Sequence, residues 1–218
     1  MRYLFGQKNF LFCTLFQLNF VLGMTQEHVE LVEVQKVNPR IEVELVYATA
    51  KNFTNQVIYP STAKCLVRKE VAQALNAVQE ALEKKGYCLK IWDAYRPMSA
   101  QQKFWDVLAS RYPDEKEREK YVSNPMNGGR HTRGVTFDCT LVDKNTKQEV
   151  EKPTDFDHFG PEAWSNYQGP KLSQKAKEHR ELLASIMKDH GFDVLDTEWW
   201  HFDFKKWKDY PPLNVEFQ

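Results

Sequence analysis

The sequence predicts a single α+β domain, a mostly antiparallel sheet flanked by helices, with the chemistry at the sheet. Two amphipathic helices stand out, several strands alternate with period two, and the two kinds do not interleave regularly enough for a doubly wound sheet. With 218 residues, 42% of them hydrophobic, the chain can fill one ordinary core.

Residues 29–47 read as extended, because Ile41, Val43, Leu45 and Tyr47 alternate, with Asn38-Pro39 as a break. Residues 51–66 look irregular. A helix spans about Arg68 to Lys85, since Val71, Leu75, Val78 and Leu82 recur at helical spacing and Gly86 ends it. Tyr87–Asp93 is a strand. Ser99 with Gln102 three residues later forms a capping box that opens a helix to about Ser110. A charged, loop-like insertion covers 111–130. Val135, Phe137, Cys139 and Leu141 alternate through a further strand. Ser173 starts a helix that turns Leu182, Leu183, Ile186 and Met187 inward and stops at Gly191. Residues 193–204 form a last strand, and Pro211-Pro212 begins a short tail.

Lys+Arg and Asp+Glu both number 30, so formal net charge is zero and the basic excess of a nucleic-acid binder is missing. The first 23 residues differ from the rest. Arg2 and Lys8 precede an apolar run, Phe10 to Leu22, and Val21-Leu22-Gly23 offers a cleavage point. This fits a signal peptide over 1–23 and export, to the periplasm, with 24–218 as the mature domain; the alternative is a cytoplasmic protein in which 1–23 is an amphipathic extension or lies upstream of a true start at Met24. Thirteen residues are too few to span a bilayer comfortably, so no stable membrane insertion is expected once the leader is removed. Cys65, Cys88 and Cys139 then remain, an odd number without close spacing, so no disulfide framework is indicated. A single Cys65–Cys88 bridge stays open.

Three segments carry chemistry. In Gly128-Gly-Arg-His131-Thr-Arg-Gly134-Val-Thr-Phe-Asp138, a histidine in a glycine-rich loop precedes a strand. There Asp138 points away from Phe137 and Cys139. In Thr197-Glu198-Trp-Trp-His201-Phe-Asp203, a glutamate and a histidine lie close together. Two histidines and a carboxylate suit zinc and leave a fourth position for water, on which Glu198 can act. In Asp93-Ala-Tyr-Arg96-Pro97, an arginine that stays charged leaves a strand at a proline turn. Taken singly, each has a plainer explanation: a hydrogen-bonded sheet histidine, core tryptophans, a surface arginine. Glu198 and His201 also sit at i and i+3, which face opposite ways on a regular strand, so a bulge or bend is required. Their joint presence and order favour a site.

These segments, with Tyr47-Ala-Thr-x-x-Asn-Phe53, resemble the D-alanyl-D-alanine dipeptidases, the VanX type of zinc peptidase, over most of residues 28–210. The resemblance implies one zinc ion per chain on His131, Asp138 and His201. It makes Glu198 the general acid/base and Arg96 the transition-state stabiliser, and it sets Asp157 against the substrate's amino group. The implied reaction is hydrolysis of D-Ala-D-Ala in peptidoglycan precursor or fragment turnover, with a small dipeptide as the partner. A D,D- or L,D-carboxypeptidase acting on longer stem peptides is the alternative, and a non-catalytic zinc-binding module a remoter one. Gly129 and Thr136 depart from the family pattern, which has serine and alanine there. Arg130 and Arg133 are available to a substrate carboxylate.

Overall fold

A computed structural model describes residues 29–217, so the proposed leader over 1–23 lies outside the described residues. The elements run β1 (Leu31–Glu33), α1 (Val34–Val37), β2 (Glu42–Val43), β3 (Leu66–Arg68), α2 (Lys69–Glu83), β4 (Tyr87–Asp93), α3 (Met98–Ala109), α4 (Glu115–Arg118), β5 (Thr136–Asp143), α5 (Gln174–Asp189), β6 (Phe192–Leu195) and β7 (Glu198–Phe204). Five strands form the main sheet in the order β2-β4-β5-β7-β6, antiparallel except for the β2–β4 pair, and β1 pairs with β3 separately. The α+β expectation is met.

β5 is the central strand, and Thr136 to Val142 are all buried. Alternation divides its two faces by chemistry, not by exposure. Phe137, Cys139 and Leu141 join the main core, while Thr136, Asp138 and Thr140 form a buried polar row on the other side. The main core is closed by α2, whose Val71, Leu75, Val78 and Leu82 are fully buried as their spacing predicts, and by α5 through Leu183 and Met187. Burying each such side chain contributes about 1.5–3 kcal/mol. Ser173 caps α5 by accepting from the Ala176 amide at 3.1 Å. Gly86, at φ +88°, supplies the left-handed residue that turns α2 into β4. A second, smaller core of Tyr47, Tyr59, Phe104, Trp105 and their neighbours lies beneath α3.

Four local expectations need correction. The extended stretch 29–47 is broken: Val34 donates to the Cys65 carbonyl at 2.9 Å, α1 follows, and the Asn38 side chain ties to Asn76 at 2.8 Å and turns the chain. The capping box does not form. α3 begins at Met98 behind Pro97, and the Ser99 hydroxyl bonds Glu216 at 2.6 Å instead. The insertion over 111–130 is not wholly loop, since it holds α4 and a 3-10 turn at Pro125–Asn127. The last strand is a hairpin, β6 and β7 joined through Asp196 and Thr197. Cys65, Cys88 and Cys139 are buried free thiols, so the Cys65–Cys88 bridge is not made. Among the described residues no helix is long and apolar enough to cross a membrane.

Candidate metal centre and its pocket

Strand register builds the site. Asp138 on β5 lies directly opposite His201 on β7, so both side chains leave the same face of the sheet. Glu198 reaches that face because pairing with β6 slips: Val194 opposes Phe202, but the next residue, Leu195, opposes Glu198. One step on β6 thus matches four on β7. This is the irregularity an i, i+3 pair needs, and it brings a Glu198 oxygen to 3.5 Å from His201 Nδ1. His131 arrives from the 3-10 turn His131–Arg133, which Gly134 closes at φ +69°. That turn is fastened to the chain beside β4, where the Arg96 amide donates to the His131 carbonyl at 3.3 Å.

His131, Asp138 and His201 are 5%, 3% and 3% exposed. One donor atom from each lies within 4.8 Å of the others. His131 Nε2 stands 3.3 Å from His201 Nδ1 and 3.4 Å from an Asp138 oxygen; the other Asp138 oxygen is 3.0 Å from His201 Nδ1. Ligands about 2.0–2.2 Å from a tetrahedral zinc are separated by roughly 3.3–3.6 Å, and the His131–His201 and His131–Asp138 separations fall in that range. The His131 ring is oriented by its Nδ1, 2.9 Å from the Ala94 carbonyl, which leaves Nε2 bare toward the cluster. Asp138 Oδ1 is buried without a hydrogen bond, despite its short approach to His201. Such an orphaned acceptor fits a cation site.

The electrostatics agree. Burial alone would raise the Asp138 carboxyl, but the two imidazoles outweigh it and hold the group below the ordinary range. Burial would lower His201, yet Asp138 and Asp203 push it up to about 10. The surroundings therefore favour positive charge at this point.

Arg96 forms the neighbouring wall. Its Nε and Nη2 donate to one oxygen of Asp93 at 3.2 and 2.6 Å, and Nη1 donates to Gln101 at 3.0 Å. The guanidinium lies over the Phe104 ring, 4.5 Å from its centre. Asp93 is completely buried and also accepts from the Tyr59 hydroxyl at 2.7 Å. Three of the five guanidinium N–H groups are thus engaged, and two remain for a ligand. A Cβ on Gly129 would lie 3.1 Å from the Gln101 side-chain oxygen, so the glycine found where the resembled pattern has serine leaves room for the Gln101–Arg96 contact.

A cavity of about 300 Å³ opens between these groups, lined among others by Arg96, His131, Asp138, Glu198, His201 and Asp157. All six residues singled out from the sequence therefore face one space. Asp157 sits at φ +59°, and Tyr47 donates to its two oxygens at 3.0 and 3.2 Å. Burial and the charge of Asp138 raise the Asp157 carboxyl well above the usual range, against the Tyr47 bond. Asp155, two residues away, points elsewhere: its side chain is 95% exposed beside Lys152. Glu198, with 30% of its side chain exposed, is raised by its setting and by Asp138, against His201. Arg130 lines the cavity, whereas Arg133 reaches the Tyr210 carbonyl and the Trp207 ring. Sequence reasoning missed Tyr47, Asp93, Gln101 and Asp203 as contributors. For Asp203 a signal existed, since it lies two residues beyond His201 and so on the same face.

Residues 27–217 match the peptidase family described as D-ala-D-ala dipeptidase. The D-alanyl-D-alanine dipeptidase of Escherichia coli is 34% identical over 188 residues, covering 86% of this chain and 91% of that protein. The enzyme of the same name from Enterococcus faecalis is 31% identical over 170 residues, covering 72% of this chain and 82% of its own. The solved structure of the LdcB LD-carboxypeptidase overlaps at a TM-score of 0.45 and 19% identity, over 66% of this chain and 61% of that one.

Proposed function

The chain belongs to the peptidase family described as D-ala-D-ala dipeptidase, and we propose that it hydrolyses D-Ala-D-Ala using one zinc ion per chain held by His131, Asp138 and His201. The observation that carries this is the convergence of three buried donor atoms beside a glutamate and an arginine in one cavity.

When bound, zinc supplies a Lewis acid and acidifies water toward neutrality. Glu198 takes a proton from the attacking water and delivers it to the departing amine nitrogen. Its raised proton affinity suits a group that must hold and then release that proton. The two free N–H groups of Arg96 meet the negative charge that grows on the carbonyl oxygen as the carbon becomes tetrahedral. Asp93, Gln101 and the Phe104 ring keep the guanidinium fixed, so little reorganisation is needed. Asp157, steadied by Tyr47, receives the substrate's ammonium. Arg130, one of the cations that line the cavity, takes the carboxylate at the other end of the dipeptide. Anchoring both ends favours a dipeptide, because a longer chain would leave one cavity anchor without its charged partner. Tyr121 and Phe159, whose rings meet at 5.3 Å, close part of the cavity wall and support the same preference.

The test is hydrolysis by zinc-loaded protein of D-Ala-D-Ala against diacetyl-L-Lys-D-Ala-D-Ala. Cleavage of the dipeptide alone is expected, and cleavage of the tripeptide alone would establish a carboxypeptidase instead. We further propose export to the periplasm through the leader over 1–23 and use of released wall dipeptide as a nutrient. N-terminal labelling of the mature protein checks this, since an intact Met1 contradicts it.

A further inference from the structure

Two residues along the same strands from the Asp138–His201 pair, and so on the same face, Thr136 lies opposite Asp203. Both are buried, at 0% and 4% exposure, on the polar face of β5 and β7. The Thr136 hydroxyl donates to Asp203 Oδ1 at 2.7 Å. The same oxygen stands 3.4 Å from His201 Nε2, a fully buried nitrogen with no hydrogen-bond partner. The second oxygen of Asp203 takes the guanidinium of Arg130, which sits over the Trp207 ring, 4.4 Å from its centre, and lines the cavity.

We infer that Asp203 is a positioning residue with two partners: its Oδ1 fixes His201 so that Nδ1 faces the metal, and its Oδ2 aims Arg130 into the cavity. The inference rests on the zinc reading above. An imidazole that binds through one nitrogen carries a proton on the other, and a carboxylate that accepts this proton sets the ring angle and strengthens the ligand. Among the described residues, His201 Nε2 has no hydrogen-bond partner, and Asp203 Oδ1 is the carboxylate oxygen that stands near it. Thr136 is the orienting donor that keeps Oδ1 turned toward the ring, which gives the threonine a role that alanine could not fill. The shared carboxylate ties the grip on the metal to the grip on the substrate's carboxylate end.

The test measures zinc affinity directly, by competition with a chromogenic chelator and without substrate, on wild type, Asp203→Asn and Thr136→Val. Asp203→Asn is expected to weaken zinc about 10–100-fold, the range typical of partners behind a metal ligand. It should also shift the visible spectrum of the cobalt-substituted protein and raise KM more than it lowers kcat. Thr136→Val should weaken zinc less, in the same direction, and it serves if Asp203→Asn does not fold. Affinities of both variants within twofold of wild type, with an unchanged cobalt spectrum, would overturn the inference. A wild type that binds zinc but leaves D-Ala-D-Ala intact would sink the proposed activity while leaving this comparison standing.

Discussion

Arg96 and Asp93, three residues apart across the end of β4, form a closed ion pair: two guanidinium nitrogens share a single oxygen of a carboxylate with no solvent exposure. The arginine is therefore part of the fold as well as of the cavity. Arg96→Ala would strand a buried anion, which typically costs about 3–5 kcal/mol, in addition to removing a donor worth about 2.7–4 kcal/mol in the barrier. Arg96→Lys keeps the charge and loses the fork. We expect it to stay folded with zinc content near one per chain, yet to lose about two to three orders of magnitude in kcat. Chemical denaturation, metal analysis and steady-state kinetics on the two variants separate the effects. A lysine variant with wild-type kcat would refute the role.

Glu198→Gln should keep zinc and the fold and lose about 10²–10⁴-fold in kcat, because it retains the shape but cannot carry the proton. His131→Ala should lose metal and turnover together. Metal content by atomic spectroscopy against kcat distinguishes the two patterns. Zinc loss in the Glu198 variant would make that residue a ligand instead.

Asp157→Asn should raise KM by about 10–100-fold with a smaller change in kcat, since a charge-assisted hydrogen bond to the ammonium contributes about 1.5–3 kcal/mol. A dipeptide blocked at its amino end should then be discriminated against less by the variant than by wild type. An unaltered KM would remove Asp157 from the substrate site.

The metal-stripped protein should lose stability as pH rises. His201 is raised from 6.5 to about 10 in the folded chain, so its contribution is complete below 6.5 and disappears as pH climbs through about 10. Asp138 is held below 3.8, so its contribution is present above that value and disappears in acid. Stripped protein should be most stable between these limits, and its Tm should fall from pH 6.5 to 10. Zinc-loaded protein should show a flatter profile, because a ligating imidazole is already deprotonated. Equal slopes for the two forms would contradict the assignment of His201 as a ligand.

Elements whose local signals agree with their burial were legible in the sequence. α2 and α5 follow from helical spacing with Gly86 and Gly191 as stops, and the two chemical faces of β5 follow from alternation. The β6–β7 hairpin was not, because Asp196-Thr197 lacks the glycine or asparagine that marks a tight turn. Ser99 misled, since Pro97 already starts α3 and the hydroxyl found a partner in the tail. The six site residues were recognisable as motifs, but what fixes them was not. Tyr59 on Asp93 and Tyr47 on Asp157 join residues 34 and 110 positions apart, contacts that only tertiary packing creates, and Gln101 reaches Arg96 across the Pro97 turn, a contact that no motif announces.

The three thiols carry a consequence for the redox setting the molecule can tolerate. Each is sealed inside the protein and none is bonded to another, so among the described residues the native fold needs no disulfide. The Cys139 thiol is pushed well above its usual range by burial and the Asp138 charge, and Cys65 is likewise raised by burial, so neither is a ready nucleophile for mispairing. Once folded, the domain should therefore keep its three thiols reduced in a reducing or an oxidising compartment alike, and thiol-blocking reagents should label them only on unfolding.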